Sequence, residues 1–125
     1  MITKTIIQVA ASSGWAVAVN VIEQGRITID FRRKTESGVP FRFSADMTDN
    51  DPATLVADII SFVDAFHPGQ FAREWCRLSG AGASRYSQTA ADMDDIRARA
   101  WLLAIDLSDA VRHPGRFAPP WYHWN

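Results

Sequence analysis

The sequence predicts a single soluble α+β domain: a short N-terminal helix, a three-stranded antiparallel β-meander, and two to three C-terminal helices packed on one sheet face. Three observations predict it. Between residues 15 and 47, three successive runs have period two: large, mostly β-branched residues at alternate positions in the first, and apolar and polar residues alternating in the other two. A glycine-bearing turn separates each run from the next. Beyond residue 51 the apolar period lengthens to steps of three and four.

Residues 3–13 read as a short helix, with Ile6, Val9 and Ala10 on one side and Ile7 beside them. Gly14 stands where a helix C-cap glycine would, able to take a positive φ without steric cost. In residues 15–23, Trp15, Val17, Val19 and Val21 alternate with Ala16, Ala18, Asn20 and Ile22, and the β-branched content favours a strand. Glu23-Gln24-Gly25 is the first hairpin connection. The second strand, residues 26–34, turns Ile27, Ile29 and Phe31 inward and Arg26, Thr28, Asp30, Arg32 and Lys34 outward. After Glu36-Ser37-Gly38, residues 39–47 repeat the pattern, with Val39, Phe41, Phe43, Ala45 and Met47 inward. Pro40 cannot donate to a ladder, which suits a sheet edge or a strand start. One wet face and one buried face is the signature of an antiparallel sheet.

Asp51-Pro52 is a strong helix start, with an aspartate N-cap before a proline at the first helical position. Leu55, Val56, Ile59, Ile60, Val63 and Phe66 follow at helical spacing. A second helix, residues 68–78, groups Phe71, Trp75 and Leu78, and residues 79–83 form a loop. The last helix, residues 87–112, carries Met93, Ile96, Ala100, Leu103, Leu107 and Ala110. Trp101, Leu102, Ile105 and Val111 widen that stripe. So broad a stripe predicts packing against more than one neighbour or a face shared with a second chain. Residues 1–115 are thus read as the domain and 116–125 as an aromatic tail. The segment His67 to Trp75 recurs as His113 to Trp121 with six of nine positions identical, a reused helix stop followed by aromatic anchors.

Hydrophobic residues make up 47% and charged residues 22% of the chain, ordinary values for a globular protein. The net charge of −1 gives no bulk attraction to nucleic acid or membrane. Its distribution is uneven. Residues 1–45 hold six basic and three acidic groups, whereas residues 46–66 hold five acidic groups and no basic one. A lone cysteine, Cys76, excludes an intramolecular disulfide and a multi-cysteine metal site. The opening residues lack the apolar core of a secretory signal, and no run approaches the roughly eighteen apolar residues of a membrane span. The expected location is the cytoplasm, without membrane contact.

No catalytic, cofactor-binding or metal-binding motif is present, and none of these roles is assigned to any residue. His67, His113 and His123 sit in helix breaks and a tail, without the spacing of a zinc site. Asp92, Asp94 and Asp95 lack the glycine and distal glutamate of a calcium loop and suit a helix start instead; Asp95 can pair with Arg99. Cys76, flanked by Trp75 and Leu78, reads as a small buried hydrophobe. Two surfaces remain. Trp121, Tyr122 and Trp124 are candidate partner-binding residues, since aromatic anchors dominate interface hot spots. Arg26, Arg32, Lys34 and Arg42 should share the open sheet face, with Arg33 at the strand end. There they are candidate contacts for an anion or nucleic acid.

The order helix, three strands, helix over residues 3–66 resembles the topology of double-stranded-RNA-binding domains. Those domains start their second helix with basic residues, and Asp49-Asn50-Asp51-Pro52 departs from that pattern at the position that would meet phosphate. The runs Asp51 to Phe66 and Met93 to Leu103 resemble parts of small, functionally unassigned proteins of gut anaerobic bacteria, some encoded near mobile-element genes. That resemblance implies an accessory protein and supplies no site residues. The leading expectation is a non-enzymatic protein-binding accessory domain, with a protein partner or a homodimer. Nucleic-acid binding through the arginine-bearing face, and a small enzyme, are the alternatives.

Overall fold

The computed structural model describes residues 2–112 apart from Gln24 and Ala81. Its elements run α1 (Ile2–Ser12), β1 (Ala16–Glu23), β2 (Arg26–Lys34), β3 (Pro40–Thr48), α2 (Pro52–Ala65), α3 (Pro68–Ser79), a short 3-10 turn (Ala83–Arg85) and α4 (Tyr86–Arg112). The strands form one antiparallel sheet in the order β1-β2-β3, a meander with β3 at an edge, where Pro40 is tolerated. Three helices follow the sheet.

Glycines make the turns. Gly14 (φ +87°), Gly25 (φ +79°) and Gly38 (φ +85°) all occupy the left-handed region, where a Cβ would be strained. Between β3 and α2 the chain turns on two non-glycine residues, Asp49 (φ 54°) and Asn50 (φ 52°), the types that best tolerate that region. Asp51 then caps α2, its carboxylate accepting the Ala53 N–H at 3.0 Å.

The inward residues of the sheet are the core. Ile29, Phe31, Val39, Phe41, Phe43, Ala45 and Met47 are buried and meet Leu55, Ile59 and Val63 of α2, Ile6, Val9 and Ala10 of α1, and Met93, Ile96, Ala100, Leu103 and Leu107 of α4. Removing each large apolar side chain from water contributes about 1.5–3 kcal/mol. An aromatic cluster ties the sheet to the helices. Phe43 stacks on Phe62 of α2 at 4.3 Å, and Phe41 meets Phe66 at 5.4 Å and Phe71 of α3 at 5.5 Å. α4 contacts α1, α2 and α3, so its broad stripe serves more than one neighbour.

Five side chains depart from the periodic reading. Leu78 is 70% exposed, and α3 buries Ala72 and Cys76 in its place. Small residues at that contact let α3 approach α4 closely. Trp101, Leu102 and Ile105 lie outside the core and are partly exposed. Arg33 shares strand parity with Ile29 and Phe31, so it points to the helix side. There its guanidinium lies 5.0 Å over the Trp15 ring and donates to the Ser13 carbonyl at 3.3 Å. Burial pushes its pKa down, Arg99 adds to that effect, and Asp95 opposes it.

Candidate anion-binding face

The outward residues of the three strands make the open sheet face. The register sets them in rows across it: Ala16, Arg32 and Arg42; Ala18, Asp30 and Ser44; Asn20, Thr28 and Asp46; with Arg26 opposite Thr48 and Lys34 opposite Pro40. The two ends of the face differ in charge balance. At the Arg26 end the charges are satisfied. Arg26 forks onto Asp46 through Nη2 at 2.7 Å and Nε at 3.3 Å, and the Thr28 hydroxyl donates to the other carboxylate oxygen at 2.7 Å. The Thr28 and Arg26 hydrogen bonds hold the Asp46 carboxyl below its ordinary range, and Asp46 in turn raises Arg26. Arg26 is therefore placed on the face as the sequence implied, but it is engaged.

The opposite end carries unmatched positive charge. Arg32, Lys34 and Arg42 line a basin of about 380 Å³ together with Ala16, Arg33, Pro40 and Phe41. Ala16 and Pro40 are short, which is why the basin is open. Arg32 reaches Asp30 only at 3.5 Å. Asp30 mainly accepts a hydrogen bond from the Ser44 hydroxyl, which is the first cause of its lowered pKa, with Arg32 and Arg42 adding to it. Among the described residues, neither Lys34 nor Arg42 forms an ion pair. The structure therefore groups three of the four predicted cations around one basin and separates Arg26 from them.

The remaining candidates fall out differently. Trp121, Tyr122 and Trp124 lie outside the described residues, as do His113 and His123. His67 is the exposed N-cap residue of α3 and makes no side-chain cap. Among the described residues, no three His, Cys, Asp or Glu side chains converge as a metal site. The basin beside Cys76 is lined by Arg73, Arg77, Gly82 and Tyr86. Asp95 pairs with Arg99 at 2.6 Å, as its spacing implied.

Asp92 holds a role that the sequence did not suggest. It is buried and faces the β2–β3 turn, with Gln88 donating to Oδ1 at 2.8 Å while Oδ2 lacks a partner of normal geometry. Burial alone would raise its pKa. Hydrogen bonds from Ser37, Gln88 and Thr35 outweigh burial and lower it. The sequence groups Asp92 with Asp94 and Asp95 as helix-start charges, but α4 begins at Tyr86 with no acidic residue in its first turn, and no local pattern shows which loop Asp92 reaches.

No family model, curated protein or solved structure matches the chain. The site is therefore read from its own chemistry. Among the described residues, no helix is long and apolar enough to cross a membrane.

Proposed function

We propose that this chain is a non-enzymatic, protein-binding accessory domain that takes an acidic segment of its partner into the basin formed by Arg32, Lys34 and Arg42. The observation that carries the reading is the Arg32–Arg42 pair. Like charges placed directly opposite on one sheet face disfavour the fold, so their juxtaposition is best accounted for by an anionic ligand placed between them. Two guanidinium forks and an ammonium suit carboxylates approaching a flat floor.

A nucleic-acid strand is the alternative ligand, and the surroundings disfavour it. Among the described residues, the open face offers no aromatic side chain for base stacking. A phosphate backbone continuing past the basin toward α2 would meet Asp46, Asp49, Asp51 and Asp58, which lie at and beyond the β3 edge. A short acidic peptide need not extend that far. The cytoplasm is the proposed location, supported by Cys76, which is buried and unpaired, as a reducing compartment permits.

The test is fluorescence anisotropy with two labelled probes of equal length, an oligoglutamate peptide and a single-stranded oligonucleotide, at low and moderate salt. The peptide should bind the wild-type protein more tightly than the oligonucleotide does, and the double variant R32E/R42E should lose it. Equal peptide binding by wild type and variant would remove this face from consideration. Tighter oligonucleotide binding with a steep salt dependence would make nucleic acid the ligand.

A further inference from the structure

We infer that the outer edge of β1 is a pairing edge for a second copy of this chain, joining two sheets into one of six strands across a two-fold axis near Val19. This inference concerns a different surface from the anion basin and does not depend on it.

The two edges of the sheet are treated differently. On β3 the outward amides nearest α2, those of Asp46 and Thr48, are capped by it. The Asp58 carboxylate accepts the Asp46 N–H at 2.7 Å, and the Thr54 hydroxyl accepts the Thr48 N–H at 2.9 Å. Pro40 has no N–H to offer at the start of that strand. These are the devices by which proteins close a sheet edge. On β1 they are missing: residues 16–22, Ala-Val-Ala-Val-Asn-Val-Ile, contain neither charge nor proline. The one irregularity, a register shift between Val21 and Glu23, lies at the far end and leaves the preceding residues regular.

The ladder identifies the free groups. Because Asp46 and Thr48 direct their N–H groups outward, the odd-numbered residues of β3 bond to β2. The register then makes the even-numbered residues of β2 and β1 bond to each other. Val17, Val19 and Val21 are left with outward N–H and C=O groups. The same parity appears at Trp15, whose outward N–H is taken by the Ala10 carbonyl at 2.9 Å. Among the described residues, no other element bonds the outward main chain of Val17, Val19 or Val21.

The strand is self-complementary, which favours a second copy over an unrelated strand. An antiparallel pairing centred on Val19 sets Val17 against the partner's Val21 and Val19 against the partner's Val19, so valine faces valine in all three bonded pairs on the helix side. On the open side Ala18 faces the partner's Asn20, and no like charges meet. The pairing would also cover Val21, which is 78% exposed on the isolated chain.

The experiment is sedimentation equilibrium of the full chain over a wide concentration range. It is joined to amide hydrogen exchange read at Val17, Val19 and Val21. The expected result is a dimer of twice 13.9 kDa whose three amides exchange more slowly as the concentration rises. Val19→Pro removes the central outward N–H without touching the bonds to β2 and should give a monomer with an unchanged circular dichroism spectrum. Should that variant fail to fold, Val21→Lys, at an exposed position, should weaken dimerisation at least tenfold. A wild-type chain that stays monomeric at every concentration overturns the inference. A dimer unaffected by Val21→Lys, with unprotected valine amides, does so equally.

Discussion

Arg32 and Arg42 stand directly opposite each other across the β2–β3 ladder, on the face that none of the described helices covers. Asp30 and Ser44 form the next row and offset that charge only in part, because the Asp30 carboxylate is principally engaged by the Ser44 hydroxyl. A stability cost and a binding capacity therefore reside in the same pair. Arg42→Thr removes the repulsion and introduces a residue that favours strands. It should stabilise the fold by up to about 1 kcal/mol, seen as a higher urea midpoint with an unchanged slope, while weakening oligoglutamate binding. A loss of stability would mean that Arg42 contributes to the fold in the absence of a ligand.

Its neighbour in β2 should behave in the opposite way. Arg33 lies over the Trp15 ring at 5.0 Å and donates to the Ser13 carbonyl. Arg33→Met keeps the aliphatic stem but loses the charge, and should cost about 0.5–2 kcal/mol. Arg32→Met, one position away on the open face, should be neutral or stabilising. Urea unfolding of the two variants side by side checks the assignment of faces. Equal effects would contradict it.

The contrast between Arg32 and Arg33 also marks how far the sequence could be read. The strands, their turns and the helix start at Asp51-Pro52 were legible because period-two alternation, glycine turns and a capped proline each have a local cause. The open-face cations were legible for the same reason. Which of them would be free was not, because Arg26 is engaged by Asp46, twenty residues further along the chain. Arg33 obeys the alternation, yet a charged residue at an inward position reads as a strand end until Trp15 is found beneath it. The position of Asp92 against the β2–β3 turn depends on how α4 crosses the domain, which no local pattern encodes. Leu78 follows helical spacing but faces solvent because α3 meets its neighbour through Ala72 and Cys76.

Asp30, Asp46 and Asp92 all have lowered pKa values in the folded chain. Each binds a proton less readily folded than unfolded, so the stabilisation is fully present above the ordinary aspartate value of 3.8 and is lost as pH falls through the folded values below it. Stability should therefore be level from neutral pH down to about that value and decline beneath it. Asp92→Asn should flatten part of the decline and cost about 1–3 kcal/mol at neutral pH, since one carboxylate oxygen beside the turn becomes an amide donor. Thermal unfolding as a function of pH, wild type against variant, gives both numbers. An Asp92→Asn curve parallel to wild type would exclude Asp92 from the acid transition.

Thr54 closes the β3 edge through the Thr48 N–H at 2.9 Å and also donates to the Asp51 carbonyl at 2.6 Å. Thr54→Val keeps the shape and removes both bonds. It should cost about 1–2 kcal/mol and accelerate hydrogen exchange at the Thr48 amide while leaving the amides of β2 protected. Unchanged exchange at Thr48 would show that the cap does not protect the edge.

The most direct test of the anion-binding face is a residue-resolved titration. The uniformly ¹⁵N-labelled protein would be titrated with oligoglutamate and the amide shifts followed. The account predicts that the largest shifts fall on Arg32, Lys34, Arg42, Ser44 and Ala16, with little change at Arg26 and in the groove between α2 and α4, and that added salt reverses them. Shifts centred on Val56, Ile60, Trp101 and Ile105 in that groove, or no shifts at all, would contradict it.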